Sequence, residues 1–189
     1  MTMEQDWQQF EAWLRTHWRD GLADLNPPAT DAQIAALESA LGVSLPREFV
    51  ACLQVHNGQS GSAGGLFDNA EFLSTDAILE QWTVWKELLD AGEFDGITSE
   101  PGAGVRNNWW NPRWIPFTHD GGGNHSCVDL NPAQGGTVGQ VVAMWHDAGE
   151  RERLATSFDA WFRGYVADVL AGQYVFSDEY GGLVHVDDA

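Results

Sequence analysis

The feature that most restricts this chain is a change in the spacing of its apolar residues. In the first half they recur every three or four positions, as along one face of a helix; in the second half they come in short alternating runs, as in strands. Trp7, Phe10, Trp13, Leu14 and Trp18 make a helical stripe. Pro27 and Pro28 end that helix, because neither can continue it. Thr30 with Gln33 three residues on predicts a capping box, Ile34, Leu37 and Leu41 a buried side, and Gly42 a stop. Ser44 is expected to cap the next helix, with Pro46 in its first turn. That helix carries Phe49, Val50, Leu53 and Val55 and is expected to end at His56-Asn57-Gly58. Residues 59–65 are loop, Gly65-Leu-Phe and Phe72-Leu are short strand candidates, and Ser74 caps a long helix with Ile78, Leu79, Trp82, Trp85, Leu88 and Leu89 inward.

From Trp109 the pattern is that of strands. Trp114 to Thr118 is one, with Pro116 suggesting an edge or a bulge. Asp120-Gly-Gly-Gly-Asn is a turn, and His125–Leu130 and Gln140–His146 are further strands. Thr156 or Ser157 caps a last helix with Phe158, Trp161, Phe162, Tyr165, Val166, Val169 and Leu170 inward, ended by Gly172, and residues 175–186 read as a hairpin around Tyr180-Gly-Gly. Helices, then consecutive strands, then a helix predict an α+β domain with a largely antiparallel sheet.

Charge narrows the function. The net charge is −19 and the only lysine is Lys86. A nucleic-acid-binding module needs a basic footprint, and docking on an anionic membrane needs Lys and Arg clusters, so neither partner is expected. The acids are spread, 16 against 4 bases in residues 1–95 and 12 against 5 in 96–189, so they belong to a folded surface and not to a tail. Aromatic residues at 12% exclude a disordered acidic chain. Cys52 and Cys127 form no C-x-x-C pair and no disulfide framework, the first twenty residues lack an apolar signal core, and no apolar run approaches a membrane span, which together point to a reducing, cytoplasmic setting.

Three clusters are candidates for chemistry. His119, Asp120, Asn124, His125 and Asp129, with His146-Asp147, have metal-ligating side chains, but no helical His pair and no EF-hand spacing; a tight turn accounts for the same residues. His125, Cys127 and Asp129 share one face of a strand, as in a thiol hydrolase, yet alternate positions on a strand stand about 7 Å apart, too far for a nucleophile and its base. The glycine tracts match no phosphate-binding loop. Trp109, Trp110 and Trp114 surround Asn111-Pro-Arg; adjacent Trp109 and Trp110 face opposite ways in extended chain, so one of them beside Arg106 or Arg113 is a candidate partner anchor, with burial in the core as the alternative.

Residues Glu38-Ser-Ala-Leu-Gly-Val-Ser-Leu-Pro-Arg-Glu-Phe-Val-Ala-Cys-Leu-Gln-Val-His-Asn-Gly-Gln resemble the opening signature of the SUKH superfamily, in its Smi/Knr branch. Trp114-Ile-Pro-Phe, Asp120-Gly-Gly-Gly-Asn, Cys127-Val-Asp-Leu, Gly139-Gln-Val, His146-Asp and Ser157-Phe-Asp-Ala-Trp follow the family's order, so the likeness covers about residues 30–170. It divides the chain into an N-terminal helical extension (1–29), a Smi/Knr-like domain (30–172) and a C-terminal hairpin or tail (173–189). The resemblance implies one central sheet with helices packed around it, no enzyme activity and no cofactor or metal. It implies a protein partner: for bacterial members a toxin, often a basic nuclease, neutralised by an immunity protein; for fungal members, a role as regulatory scaffold in cell-wall synthesis and signalling. An acidic surface suits a basic partner. The expected contact residues are Trp109, Trp110, Arg113, Asp120, Asn124 and His125. The expectation from another class is a metal- or thiol-dependent hydrolase using His119, Asp120, His125, Cys127 or His146.

Overall fold

In a computed structural model describing residues 2–189, helix α1 (Met3–His17) opens on a capping box. The Thr2 hydroxyl accepts from the Gln5 N–H at 3.3 Å, and the Gln5 side chain accepts from the Thr2 N–H at 2.9 Å. The stripe seen in the sequence is the buried face, with Trp7, Phe10 and Leu14 wholly enclosed. A short α2 (Arg19–Ala23) follows. Helix α3 (Asp31–Leu41) starts at Thr30 and Gln33 as expected, and Gly42 ends it at φ +65.

Helix α4 (Arg47–Leu53) departs from expectation at both ends. Pro46 is its N-cap, without a side-chain hydrogen bond, because Ser44 lies too far before Arg47 to reach the free N–H groups. It stops at Leu53, and Gly58 is not its terminator. Gly58 takes φ +69 where the backbone of Leu73 and Ser74 passes so closely that a Cβ would stand 2.3 Å from the Ser74 nitrogen. The neighbouring Asn57 ties this crossing to the next helix, accepting from the Thr75 N–H at 2.8 Å and donating to the Thr75 hydroxyl at 3.2 Å.

Strand β1 (Glu71–Phe72) leads into α5 (Thr75–Asp90), capped by Ser74. Residues 65–67 do not form the expected strand. Instead Phe67 and Ala70 exchange backbone hydrogen bonds across a turn whose central residues, Asp68 and Asn69, have φ +50 and +60. Then come β2 (Glu100–Pro101), β3 (Trp114–Pro116), β4 (Thr118–His119), β5 (His125–Asp129), β6 (Gln140–Met144), β7 (Glu150–Arg151), β8 (Arg153–Ala155), α6 (Phe158–Leu170), β9 (Tyr174–Ser177) and β10 (Gly182–His185).

The chain is α+β, but its strands do not form one sheet. A four-stranded antiparallel sheet runs in the order β3-β5-β6-β8, and β1-β4, β9-β10 and the parallel β2-β7 are separate pairs. The break has a local cause at Phe117. Its N–H donates to Ser126 at 2.9 Å while its carbonyl accepts from the Leu73 N–H at 3.0 Å, so the strand changes partner after Pro116. Pro116 sits on the outer strand, where its missing N–H is tolerated.

Both faces of the four-stranded sheet are covered. Ile115, Phe117, Val128 and Val141 pack with Trp7, Phe49, Phe158 and Phe162, under α1, α4 and α6. Trp114, Cys127, Val142 and Met144 pack with Trp85, Val105 and Trp110, under α5 and the 94–111 segment. The first cluster also takes Leu183 from β10, so residues from both ends of the chain share one core. Arg163 on α6 bridges to α1, pairing with the buried Asp6 at 3.3 Å and with Asp159 at 3.0 Å.

Candidate functional site

A groove crosses the α6 side of the sheet where β5, β6 and β8 run out beyond the helix. It consists of two adjoining hollows of about 350 and 420 Å³ that share Phe67, Asp68, Ser126 and Leu154. Its floor is made of small residues, Ser126 and Ala143 on neighbouring strands and Ala160 and Gly164 on α6. Small side chains there leave room between the larger ones at either end. At one end stand Trp161, Tyr165 and Tyr174. At the other stand Met144 and Trp145, the latter 44% exposed.

Local structure places each wall. Opposite Val142 and Val141, strand β8 presents Arg153, Leu154 and Ala155, one residue more than its partner. The register shift turns Leu154 outward into the groove, 41% exposed, as bulges at sheet edges do. The facing wall is the Phe67–Ala70 turn. Its left-handed pair Asp68-Asn69 is anchored by the Asn69 N–H donating to the Leu183 carbonyl at 2.6 Å, and by the Tyr165 hydroxyl donating to the Leu66 carbonyl at 2.7 Å. Asp and Asn tolerate this conformation better than other side-chain-bearing residues.

The groove is acidic. Asp68, Asp120, Glu152 and Asp168 line it, and no lysine or arginine does. Asp68 reaches solvent, yet the protein around it pushes its carboxyl up, helped by Asp188 and offset by the His185 N–H. Tyr174 is pushed up to about 12 by burial and by the nearby Asp68, Asp168 and Asp188. Asp120 behaves differently. Burial alone would raise it, but hydrogen bonds from the Asn124 backbone and side chain and from the Gly122 N–H outweigh that and hold it low.

The residues singled out from sequence fall in two places. Asp120, Asn124 and His125 line the groove. Trp109, Trp110 and Arg113 lie elsewhere. Trp110 is core, 2% exposed and packed near Trp82 and Trp85, so it offers no partner an anchor. Trp109 is half-buried beneath the Arg151 guanidinium, and exposed Arg113 donates to the Gly42 carbonyl at 3.4 Å. His125 borders the groove but is 4% exposed, its ring turned towards Trp85 on α5 and both ring nitrogens engaged. Its Nδ1 donates to the Thr118 carbonyl at 2.7 Å, and its Nε2 accepts from the Trp85 indole at 3.2 Å. That fixes the neutral ring, and burial lowers its pKa to about 4.

Of the residues of the hydrolase alternative, His119, Asp120, His125 and His146 gather around the 120–124 turn, but the one nucleophile, Cys127, is set apart from them. Cys127 is buried in the core on the α5 side of the sheet, and burial pushes its thiol up, away from the thiolate a nucleophile needs. His119 stacks on His125 at 5.1 Å, while His146 is held by Asn124 Oδ1 at 2.9 Å. Among the described residues, no group of three His, Cys, Asp or Glu side chains is placed to hold a metal ion.

Sequence reasoning missed Asp68, Trp145 and Leu154 as groove residues, and placed Trp161 and Tyr165 only as core. The available signal was small: Trp145 stands directly before the polar His146-Asp147, and Leu154 follows the charged run Glu150-Arg-Glu-Arg. Among the described residues, no helix is long and apolar enough to cross a membrane.

Comparison with known proteins agrees with the architecture. The SMI1 / KNR4 family (SUKH-1) matches residues 28–164. The chain is similar to the "Cell wall biosynthesis/cell cycle regulator smi1" of Schizosaccharomyces pombe, 25% identical over 96% of this chain and 39% of that protein. It is similar to the "Glucan synthesis regulatory protein" of Neurospora crassa, 24% identical over 92% of this chain and 39% of that protein. It is also similar to the "Cell wall assembly regulator SMI1" of Saccharomyces cerevisiae, 24% identical over 92% of this chain and 41% of that protein. The chain therefore spans about two-fifths of the length of these relatives. Because the family match takes in well over half of its residues, the chain belongs to the SMI1 / KNR4 (SUKH-1) family.

Proposed function

We propose that this chain is a non-catalytic protein-binding domain that acts as a regulatory scaffold, holding a partner protein in the groove between α6, β8 and the Phe67–Ala70 turn. The observation that carries this is the groove itself, a small-residue floor with the exposed Leu154 and Trp145 at its mouth and carboxylates on its rim. Exposed apolar side chains ringed by polar ones are the anatomy of a protein contact. The regulatory names of the fungal relatives support the scaffold form of the reading. The net charge of −19 favours a second form, in which the partner is a basic toxin that the chain neutralises as an immunity protein.

Both forms need a protein in the groove. A photocrosslinking amino acid placed at Trp145 or at Leu154, in the native host, is expected to trap the same polypeptide from both positions. The same amino acid at Val84, exposed on α5 outside the groove, is expected to trap none of it. Equal trapping from Val84, or none from the groove positions, would overturn the proposal. The trapped protein's identity then separates regulator from immunity protein.

A further inference from the structure

The groove is unbalanced in charge, and that imbalance selects its occupant. None of the ion pairs among the described residues uses Asp68, Glu152, Asp168 or Asp188. Three of these carboxylates, Asp68, Asp168 and Asp188, act together on the Tyr174 phenol, and the basic group that Asp68 senses nearby is His185. Tyr174 and Trp161 line the same end, so a cation entering there meets carboxylates and aromatic rings together. Leu154, where the two hollows meet, and Trp145, in the other hollow, are exposed and apolar. The backbone at Asp68, where the two hollows meet, is fixed in an uncommon form. Asp68 and Asn69 are consecutive non-glycine residues at positive φ, a conformation that structures keep where the surroundings over-determine it.

We propose that the groove takes a basic polypeptide segment, with a lysine or arginine side chain seated between Asp68 and Asp168 beside Tyr174 and a neighbouring apolar side chain packed on Leu154 and Trp145. This rests on the protein-binding reading above and adds the chemistry of the partner. Charge complementarity chooses this occupant: a nucleic acid or an anionic surface would meet only repulsion, and a purely apolar segment would leave the carboxylates uncompensated. The small floor admits the segment's side chains, since a Cβ added at Gly164 would meet nothing within 4 Å.

The test uses the full chain and three fluorescent peptides: one of alternating lysine and leucine, one with glutamine for every lysine, and one with glycine for every leucine. Binding is read by anisotropy at low and high salt. The lysine–leucine peptide is expected to bind at least about ten-fold more tightly than either of the others, with affinity falling as salt rises. The double substitution Asp68→Asn with Asp168→Asn is expected to weaken it about ten-fold. Glu80→Gln with Glu87→Gln, the same change of charge on exposed positions of α5, is expected to weaken it less than about two-fold. Gly164→Arg, which places a cation in the groove from within, is expected to abolish binding while the chain still melts cooperatively; it keeps the test decisive if the double substitution disturbs folding. Equal weakening by the two double substitutions, or equal binding of the glutamine peptide, would overturn the inference. Trapping of a protein at Trp145 and Leu154 without any preference for the lysine peptide would sink the cationic partner and leave the protein-binding reading standing; failure of both would remove the groove as a binding surface.

Discussion

The guanidinium of Arg151 lies 4.9 Å from the centroid of the Trp109 indole and donates to the carbonyl of that same residue, from Nε at 3.2 Å and from Nη2 at 2.7 Å. Its Nη1 reaches the carbonyls of Ala148 and Glu150 at 2.7 and 2.6 Å. Arg151 is wholly buried, and its partners are backbone carbonyls with an aromatic face. It thereby fastens the segment before β3 to the strand pair β2-β7. A lysine carries the same charge but has no planar fork to divide among these acceptors. Arg151→Lys is expected to destabilise the chain by about 3 kcal/mol, read as a lowered urea midpoint at unchanged slope. A loss below about 1 kcal/mol would show that the fork is not what holds this segment.

His125 makes stability depend on pH in a defined direction. Its folded pKa, about 4, lies below the 6.5 of an ordinary histidine, so between those values the unfolded chain binds a proton that the folded chain refuses. Stability from this residue is therefore present above pH 6.5 and is lost as pH falls towards 4, by roughly 3 kcal/mol in all. Carboxylates titrate in part of the same range, so the measurement is a difference: urea unfolding of the wild type and of His125→Gln, each at several pH values. The gap between them should narrow as the pH drops. A constant gap would show that His125 is not the group responsible.

Both thiols are shielded. Cys52 accepts the Trp7 indole N–H at 3.3 Å, and burial pushes it up to about 12; Cys127 is pushed up by the same cause. Neither is expected to react with a thiol reagent at neutral pH in the native state within minutes, whereas both should react at once in denaturant. Fast native labelling of Cys127 would reopen the thiol chemistry that its burial now disfavours.

Two glycines with nearly equal φ separate backbone strain from steric fit. Gly64, at φ +89, packs so close to the hairpin that a Cβ would stand 1.9 Å from the Gly181 carbonyl oxygen, while Gly121, at φ +82, has nothing within 4 Å. Gly121→Ala is expected to cost about 1 kcal/mol, the conformational penalty alone. Gly64→Ala should cost at least about 2 kcal/mol more and raise hydrogen exchange in β9-β10, because the loop and the hairpin cannot both keep their places. Equal costs at the two sites would contradict the close approach.

Much of the helical half was legible because its signals are local. Thr30 with Gln33, Ser74, Ser157 and the stripe from Trp7 to Leu14 act within a few residues, and the structure uses them all. Where competition came from afar, sequence was a poor guide. Gly58 looks like a helix stop but answers to the Leu73–Ser74 backbone, and Phe117 divides a strand because Leu73 competes with Ser126 for its backbone. Arg151, β7 and β8 carry no periodic pattern, since they are too short to show one. The groove was only partly visible. Asp120, Asn124 and His125 stood out as a polar cluster, but Asp68, Leu154 and Tyr174 come together from three distant stretches, and the register shift that exposes Leu154 depends on β6.

One core joins Phe10, Phe67 and Phe162 with Leu183, whose N–H donates to Gly65 at 3.0 Å and whose carbonyl accepts from Asn69. During synthesis, then, the Phe67–Ala70 turn lacks its anchor until β10 has left the ribosome. Contacts spanning most of the sequence close late and slow the final step of folding. A nascent chain of this kind has α1 and its aromatic stripe in solution before α6 and β10 emerge to cover them, so a chaperone that shields Trp7 and Phe10 would act until then and have little to hold afterwards.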